Sequence, residues 1–80
     1  MHYVYLLQSL ANPPQRYVGS TENLRQPLAE HNEGKSTHTA QYRPWMLITY
    51  VAFKEKDRAI KFERYFKVGS GHAFARRHCW

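Results

Sequence analysis

Eighty residues bound the chain to a single small domain, 1–80, whose core is marginal unless large side chains fill it. Twelve Lys and Arg against six Asp and Glu leave a net charge of +6, which points to a polyanionic partner. No apolar run approaches the roughly 20 residues of a membrane span, no basic-then-apolar leader opens the chain, and one cysteine allows neither an internal disulfide nor a thiolate metal cluster. The expectation is a soluble, cytoplasmic protein in a reducing compartment, with no membrane partner and with Cys79 an incidental exposed thiol.

In chain order, YVYLLQS (3–9) is β-branched and aromatic and predicts a strand. LANPPQ (10–15) breaks it, and RYVG (16–19) resumes as a second strand, giving an antiparallel hairpin with a loop of six residues. Thr21 or Asn23 then caps a helix carrying Leu24, Leu28 and His31 at i, i+4 and i+7. Residues 32–44 are polar and read as a loop. WMLITYVAF (45–53) is the most apolar run and predicts the central strand, apolar on both faces. Lys54 to Lys67 predicts a second helix, ended by VGSG, whose glycines suit a left-handed cap. HAFARRHCW (72–80) is a last short helix or a tail. The order β-β-α-β-α, with a possible C-terminal helix, predicts an α+β fold: a small, mostly antiparallel sheet flanked by helices. Twelve aromatic residues, six Tyr, four Phe and two Trp, supply much of its core.

Four features carry chemistry. On the second helix each residue turns by about 100°, which sets Glu63 inside the apolar arc of Ala59, Ile60, Phe62 and Phe66. A carboxylate there requires a counter-charge. Lys67, one turn on, offers a plain salt bridge; a lone carboxylate is also what Mg²⁺ uses beside phosphates. Tyr3 and Tyr5 alternate on one face of the first strand with Val4 opposite, and Tyr17 approaches Tyr5 across the hairpin. Packing explains such pairs, and so does a catalytic phenol whose pKa a nearby cation lowers. His31 shares its face with Leu24 and Leu28, as a buried structural histidine would, or as a phosphate ligand or proton relay would. Lys54, Lys56, Arg58, Lys61, Arg64 and Lys67 form either a nucleic-acid surface or a solvated helix face. His-Glu-x-x-His, the P-loop and Gly-x-Ser-x-Gly are all absent, which removes zinc hydrolases, nucleotide-triphosphate enzymes and serine esterases, and with them a nucleotide cofactor.

YVY (3–5), YVG (17–19), EHN (30–32), YRPW (42–45) and AIKFERYFKVGSG (59–71) occur in an order and spacing that resemble the GIY-YIG endonuclease superfamily. The similarity is to its small single-domain bacterial branch, which resembles the nuclease part of excision-repair enzymes. The resemblance implies a three-stranded antiparallel sheet flanked by helices and divalent-metal-dependent hydrolysis of a DNA phosphodiester, with roles in DNA repair. It implies Tyr5, Tyr17 and His31 as catalytic residues, Glu63 as the ligand of one Mg²⁺ or Mn²⁺, and Gly19 as the turn glycine. Gly19, Lys35, Arg43, Lys61 and Lys67 are the expected nucleic-acid contacts.

The departure is at Pro27, where the resemblance places a catalytic arginine four residues before the histidine. In a regular helix positions 25 and 27 point about 200° apart, so Arg25 replaces that arginine only if the helix starts late, with Pro27 in its first turn, and frees Leu24–Gln26 as a loop. The resulting expectation is an impaired DNA endonuclease. The alternatives are a non-catalytic nucleic-acid-binding module with the same fold and a basic adaptor whose sign would be an exposed apolar patch near Trp45 or Trp80. With no added domain visible, a partner protein would supply specificity.

Overall fold

The strand formed by HYVYLLQS is the one covered on both faces, and the rest of the fold is arranged around it. A computed structural model describes residues 1–80 as β1 (His2–Ser9), β2 (Arg16–Thr21), α1 (Arg25–Glu33), α2 (Thr37–Ala40), β3 (Trp45–Phe53), α3 (Lys56–Lys67) and α4 (Gly69–His78). The sheet is antiparallel with order β2-β1-β3. Val4 and Leu6 face one side and pack with Ala59, Phe66 and Ala75 of α3 and α4. Tyr5 and Leu7 face the other and pack with Trp45, joined by Tyr17, Leu24, Leu28 and Tyr42. The α+β class and the three-stranded antiparallel sheet are as expected.

The central strand is not the expected one. WMLITYVAF forms the edge strand β3, with Met46 44% and Tyr50 51% exposed, while β1 occupies the middle. Hydropathy favours β3, but its pairing skips Ile48 opposite Leu6 and Leu7, and its outer edge has no partner. Flanking helices cover β1 from both sides, and that coverage decides which strand is central.

The connections explain the remaining differences. The hairpin loop is closed by Ser9 N–H donating to the Gln15 carbonyl at 2.8 Å and Gln15 N–H donating to Ser9 Oγ at 2.9 Å. Thr21 and Asn23 do not cap the helix directly. Thr21 Oγ1 accepts from Asn23 N–H and Asn23 Oδ1 accepts from Arg25 N–H, each at 3.1 Å, so the helix starts at Arg25. Pro27 is therefore its third residue, within the first turn, where a backbone N–H has no helical acceptor to lose. Residues 32–44, expected as a loop, hold the end of α1 and the short helix α2. Gly34 ends α1 at φ +79°, and Asn32 then bridges to β3: its Nδ2 donates to the Trp45 carbonyl at 3.1 Å and its Oδ1 accepts from Trp45 N–H at 2.6 Å.

Beyond α3, Val68 is extended and Gly69 carries the left-handed conformation, φ +52°. The chain turns there straight into α4, so HAFARRHCW belongs to a helix rather than a tail. Gly71 is buried against α3, and a Cβ there would overlap the Tyr65 carbonyl. Cys79, expected exposed, is half-buried: its carbonyl accepts from Thr49 Oγ1 at 2.7 Å, and burial pushes its thiol pKa up, away from reactivity. No helix is long and apolar enough to cross a membrane.

The close approach at Gly71 gives a direct test. Gly71→Ala must push α4 away from α3 and should cost about 1–3 kcal/mol, lowering Tm by roughly 4–8 °C per kcal/mol. Thermal unfolding followed by circular dichroism measures it, and an unchanged Tm would show that the two helices separate freely.

Candidate active site

The site begins with a pairing in the sheet. Tyr5 lies opposite Gly19 in the β1–β2 register, and its phenol crosses β2 over that glycine. A Cβ at position 19 would stand inside contact distance of the Tyr5 hydroxyl, so glycine is required here for the space it leaves. Tyr17, two residues earlier on β2, shares the face, and the two phenol rings sit 6.2 Å apart. His31 arrives from α1 with its ring 4.8 Å from Tyr17 and 6.4 Å from Tyr5.

His31 is only 6% exposed, and its Nδ1 lies 2.7 Å from Thr39 Oγ1. The other ring nitrogen has no protein partner, so the Thr39 contact sets the ring orientation and leaves one nitrogen for chemistry. Trp45 closes the cluster, its ring 6.2 Å from His31 and 6.4 Å from Tyr17, and its Nε1–H donates to the Thr39 carbonyl at 2.9 Å. Sequence reasoning missed Thr39 because its segment was read as a loop. The available signal was Ser36 before Thr37-His38-Thr39-Ala40, a helix-start residue one turn from the candidate histidine. Asn32 was missed as well, although it anchors α1 to β3.

Glu63 stands on α3, which packs on the other face of the sheet, and its charge acts on the Tyr5 phenol. Its side chain is 21% exposed and accepts from Lys67 Nζ at 2.9 Å. The i+4 salt bridge foreseen as the plain alternative therefore forms, yet it leaves the carboxylate open to solvent. Burial pushes the Tyr5 phenol well above its ordinary value near 10, with neighbouring Tyr17 and the Glu63 carboxylate adding to the rise. Tyr5 is thus a neutral phenol at any physiological pH. His31 moves the opposite way: burial lowers its pKa, against a smaller upward pull from Glu30.

Tyr5, Tyr17, His31 and Gly19 come together, and Glu63 and Lys67 pair with each other on α3. Arg25 joins neither group: it is the first residue of α1, exposed, and its side chain makes no hydrogen bond or ion pair. Because Arg25 and Gln26 are helical rather than freed into a loop, the late start of the helix does not bring Arg25 round to the face of Pro27, which is buried with His31. Lys35 pairs with Glu33 at 3.3 Å, and Arg43 donates from Nε to the Ala40 carbonyl at 2.8 Å, its guanidinium over Gly34. Both belong to the α1–α2 corner. Lys61 lines a separate groove with Phe53, Arg58, Phe62 and Tyr65. The positive charge is therefore distributed over several faces. No three His, Cys, Asp or Glu side chains gather to hold a metal by themselves. The donor set is a single partly exposed carboxylate, which suits a hard cation completed by water and phosphate oxygens.

Residues 1–73 match the GIY-YIG catalytic domain. The chain belongs to the GIY-YIG family. It is 37% identical over 82 residues to structure-specific endonuclease subunit SLX1 of Debaryomyces hansenii, covering 94% of this chain and 22% of that protein. The SLX1 subunit of Scheffersomyces stipitis is 37% identical with 94% of this chain and 23% of that protein covered. A UPF0213 protein of Lactiplantibacillus plantarum is 39% identical over 69 residues, covering 82% of this chain and 66% of the other. The chain spans less than a quarter of the fungal relatives and about two thirds of the bacterial one.

Two tests follow from the geometry. A folded pKa below the unfolded value means that His31 binds its proton more readily when the chain unfolds. Its contribution to stability is therefore complete above about pH 6.5 and is lost as pH falls towards the lowered folded value. Melting temperatures from pH 8 to 5 should fall less steeply for His31→Gln than for the native chain, even though the variant melts lower throughout. Gly19→Ala should expel the Tyr5 phenol from its crossing and expose it. Tyrosine titration by ultraviolet absorbance should then show one phenol returning towards the ordinary value, and an unaltered titration would refute the crossing.

Proposed function

We propose that this GIY-YIG chain is a DNA endonuclease that hydrolyses phosphodiesters with one Mg²⁺ or Mn²⁺, and that Pro27 impairs it. The observation that supports the proposal is the convergence of Tyr5, Tyr17 and His31 on one face of the sheet, with the Glu63 charge acting on Tyr5. Glu63 would hold the ion, with water and phosphate oxygens completing its shell. When bound, such an ion neutralises charge on the reacting phosphate and polarises it for attack.

The chain's own residues divide the remaining work. Tyr5, kept neutral, donates a hydrogen bond and orients the attacking water or the phosphate. His31, neutral by burial and oriented by Thr39, is the better proton acceptor, with Tyr17 between it and Tyr5 as relay. Charge that builds on the phosphate needs a preorganised cation. Position 27 supplies none, Arg25 faces away, and Lys67 is engaged with Glu63. A missing donor of this kind lowers the rate by about 10²–10³-fold.

Buried Pro27 also supports a second reading, a non-catalytic DNA-binding module that keeps the fold. In either case, the name of the fungal relatives, a structure-specific endonuclease subunit, motivates two further parts of the proposal. The DNA bound is branched or flapped rather than plain duplex, and a partner protein supplies specificity. The setting is DNA repair inside the cell.

Cleavage of branched and linear DNA with Mg²⁺ or Mn²⁺ tests the proposal. Slow cutting by the native chain should disappear in Glu63→Ala and rise by about 10²–10³-fold in Pro27→Arg. Cutting that survives Glu63→Ala would reject the metal-dependent mechanism. Salt-sensitive binding with no cutting by either the native chain or Pro27→Arg would favour the binding module.

A further inference from the structure

One of the four cavities shares a wall with the active hollow. It is a groove of about 300 Å³ running past the free edge of β2, floored by Phe66 and walled by Tyr17, Arg16, Lys67, His72 and Trp80. Tyr17 is a tyrosine of the site, and Lys67 is the residue whose ammonium contacts Glu63. The groove is thus one residue removed from the carboxylate, through Lys67, and the residues on its rim come from four parts of the chain.

Its chemistry is specific. Arg16 lies with its guanidinium carbon 4.9 Å from the centre of the Trp80 ring, holding the indole by a cation–π contact. Arg16, Lys67 and the imidazole of His72 share the groove with three aromatic rings, Tyr17, Phe66 and Trp80. No acidic side chain lines the groove. Aromatic rings flanked by cations suit a base joined to a phosphate: the ring stacks on the base and the cations take the phosphate oxygens. The volume is at the lower end for a small-ligand pocket and admits one nucleotide rather than a double helix. Only an unpaired base offers a free face for stacking, since bases within a duplex are already stacked on one another.

We propose that this groove seats one unpaired nucleotide of the DNA next to the scissile phosphate, its base against Trp80 and its phosphate between Arg16 and His72. The proposal rests on the endonuclease reading for the position of the scissile phosphate, while the groove's binding of single strand can be measured without cleavage. It makes the chain selective for DNA with a single-stranded segment at the cut, and it places that selectivity in the β2 edge and the residues after α4.

Tryptophan fluorescence of the 80-residue chain reads the groove, because Trp45 is 4% exposed and Trp80 is the half-buried indole beside it. Titration with a ten-nucleotide oligothymidylate should quench this signal, and a blunt duplex of equal length should not. Binding measured by anisotropy of labelled DNA should weaken by about tenfold for the single strand in Trp80→Leu and in Arg16→Gln, with less than a twofold change for duplex. Arg16 is exposed, so Arg16→Gln keeps the test valid if Trp80→Leu is misfolded by circular dichroism. Quenching absent, or equal weakening on both DNA forms, overturns the proposal. Cleavage by the native chain separates the two readings. Single-strand quenching by a native chain that never cuts leaves the groove and removes the nuclease. Cutting by the native chain without single-strand quenching leaves the nuclease and removes the groove.

Discussion

A phenol lying across a glycine is the contact on which this molecule's site depends. Tyr5 is held by the central strand, and Gly19 on β2 leaves the gap through which its hydroxyl passes towards the sheet edge. Every other site residue is placed relative to that crossing. Tyr17 sits diagonally from Tyr5 on β2, and His31 closes over Tyr17 from α1. Glu63, on a helix packed against the opposite face, acts on the same phenol through its charge. The sheet separates two apolar cores.

Electrostatics in this hollow follow from burial with few counter-charges. The domain is strongly basic, yet its cations lie mostly on other faces, and the cation in contact with Glu63 is Lys67. Consequently Tyr5 feels burial and negative charge and stays protonated, while His31 feels burial and stays neutral. Both are in the form needed for hydrogen bonding and for accepting a proton, respectively. Pro27 lies in the first turn of α1, where its missing N–H costs no helical hydrogen bond, which explains how the fold tolerates it there.

Local patterns made much of the architecture legible. Alternating Tyr-Val-Tyr followed by an Asn-Pro-Pro break reads correctly as strand and loop, because burial on a strand has period two and proline stops it. Phe62, Phe66 and Ala59 identify the buried stripe of α3 for the same kind of reason. The assignment of β3 as central failed because hydropathy counts apolar side chains but does not know which strand has neighbours on both edges. The loop expected at residues 32–44 failed because the four-residue helix α2 is held by tertiary bonds from His31 and Trp45 to Thr39 rather than by its own propensity.

Composition and residue order by themselves determined the class of fold, the pairing of two tyrosines across a hairpin, the acidic residue on an apolar helix face and the family resemblance. These are local or periodic properties, carried by residues close in the chain or repeated at a fixed interval. Tertiary structure decided what those residues face: Thr39 behind His31, Lys67 on Glu63, Arg25 turned outward, and Trp80 brought beside Tyr17 and Arg16. Such contacts join positions far apart in sequence, and they exist only once both faces of β1 have been covered and its edge left open.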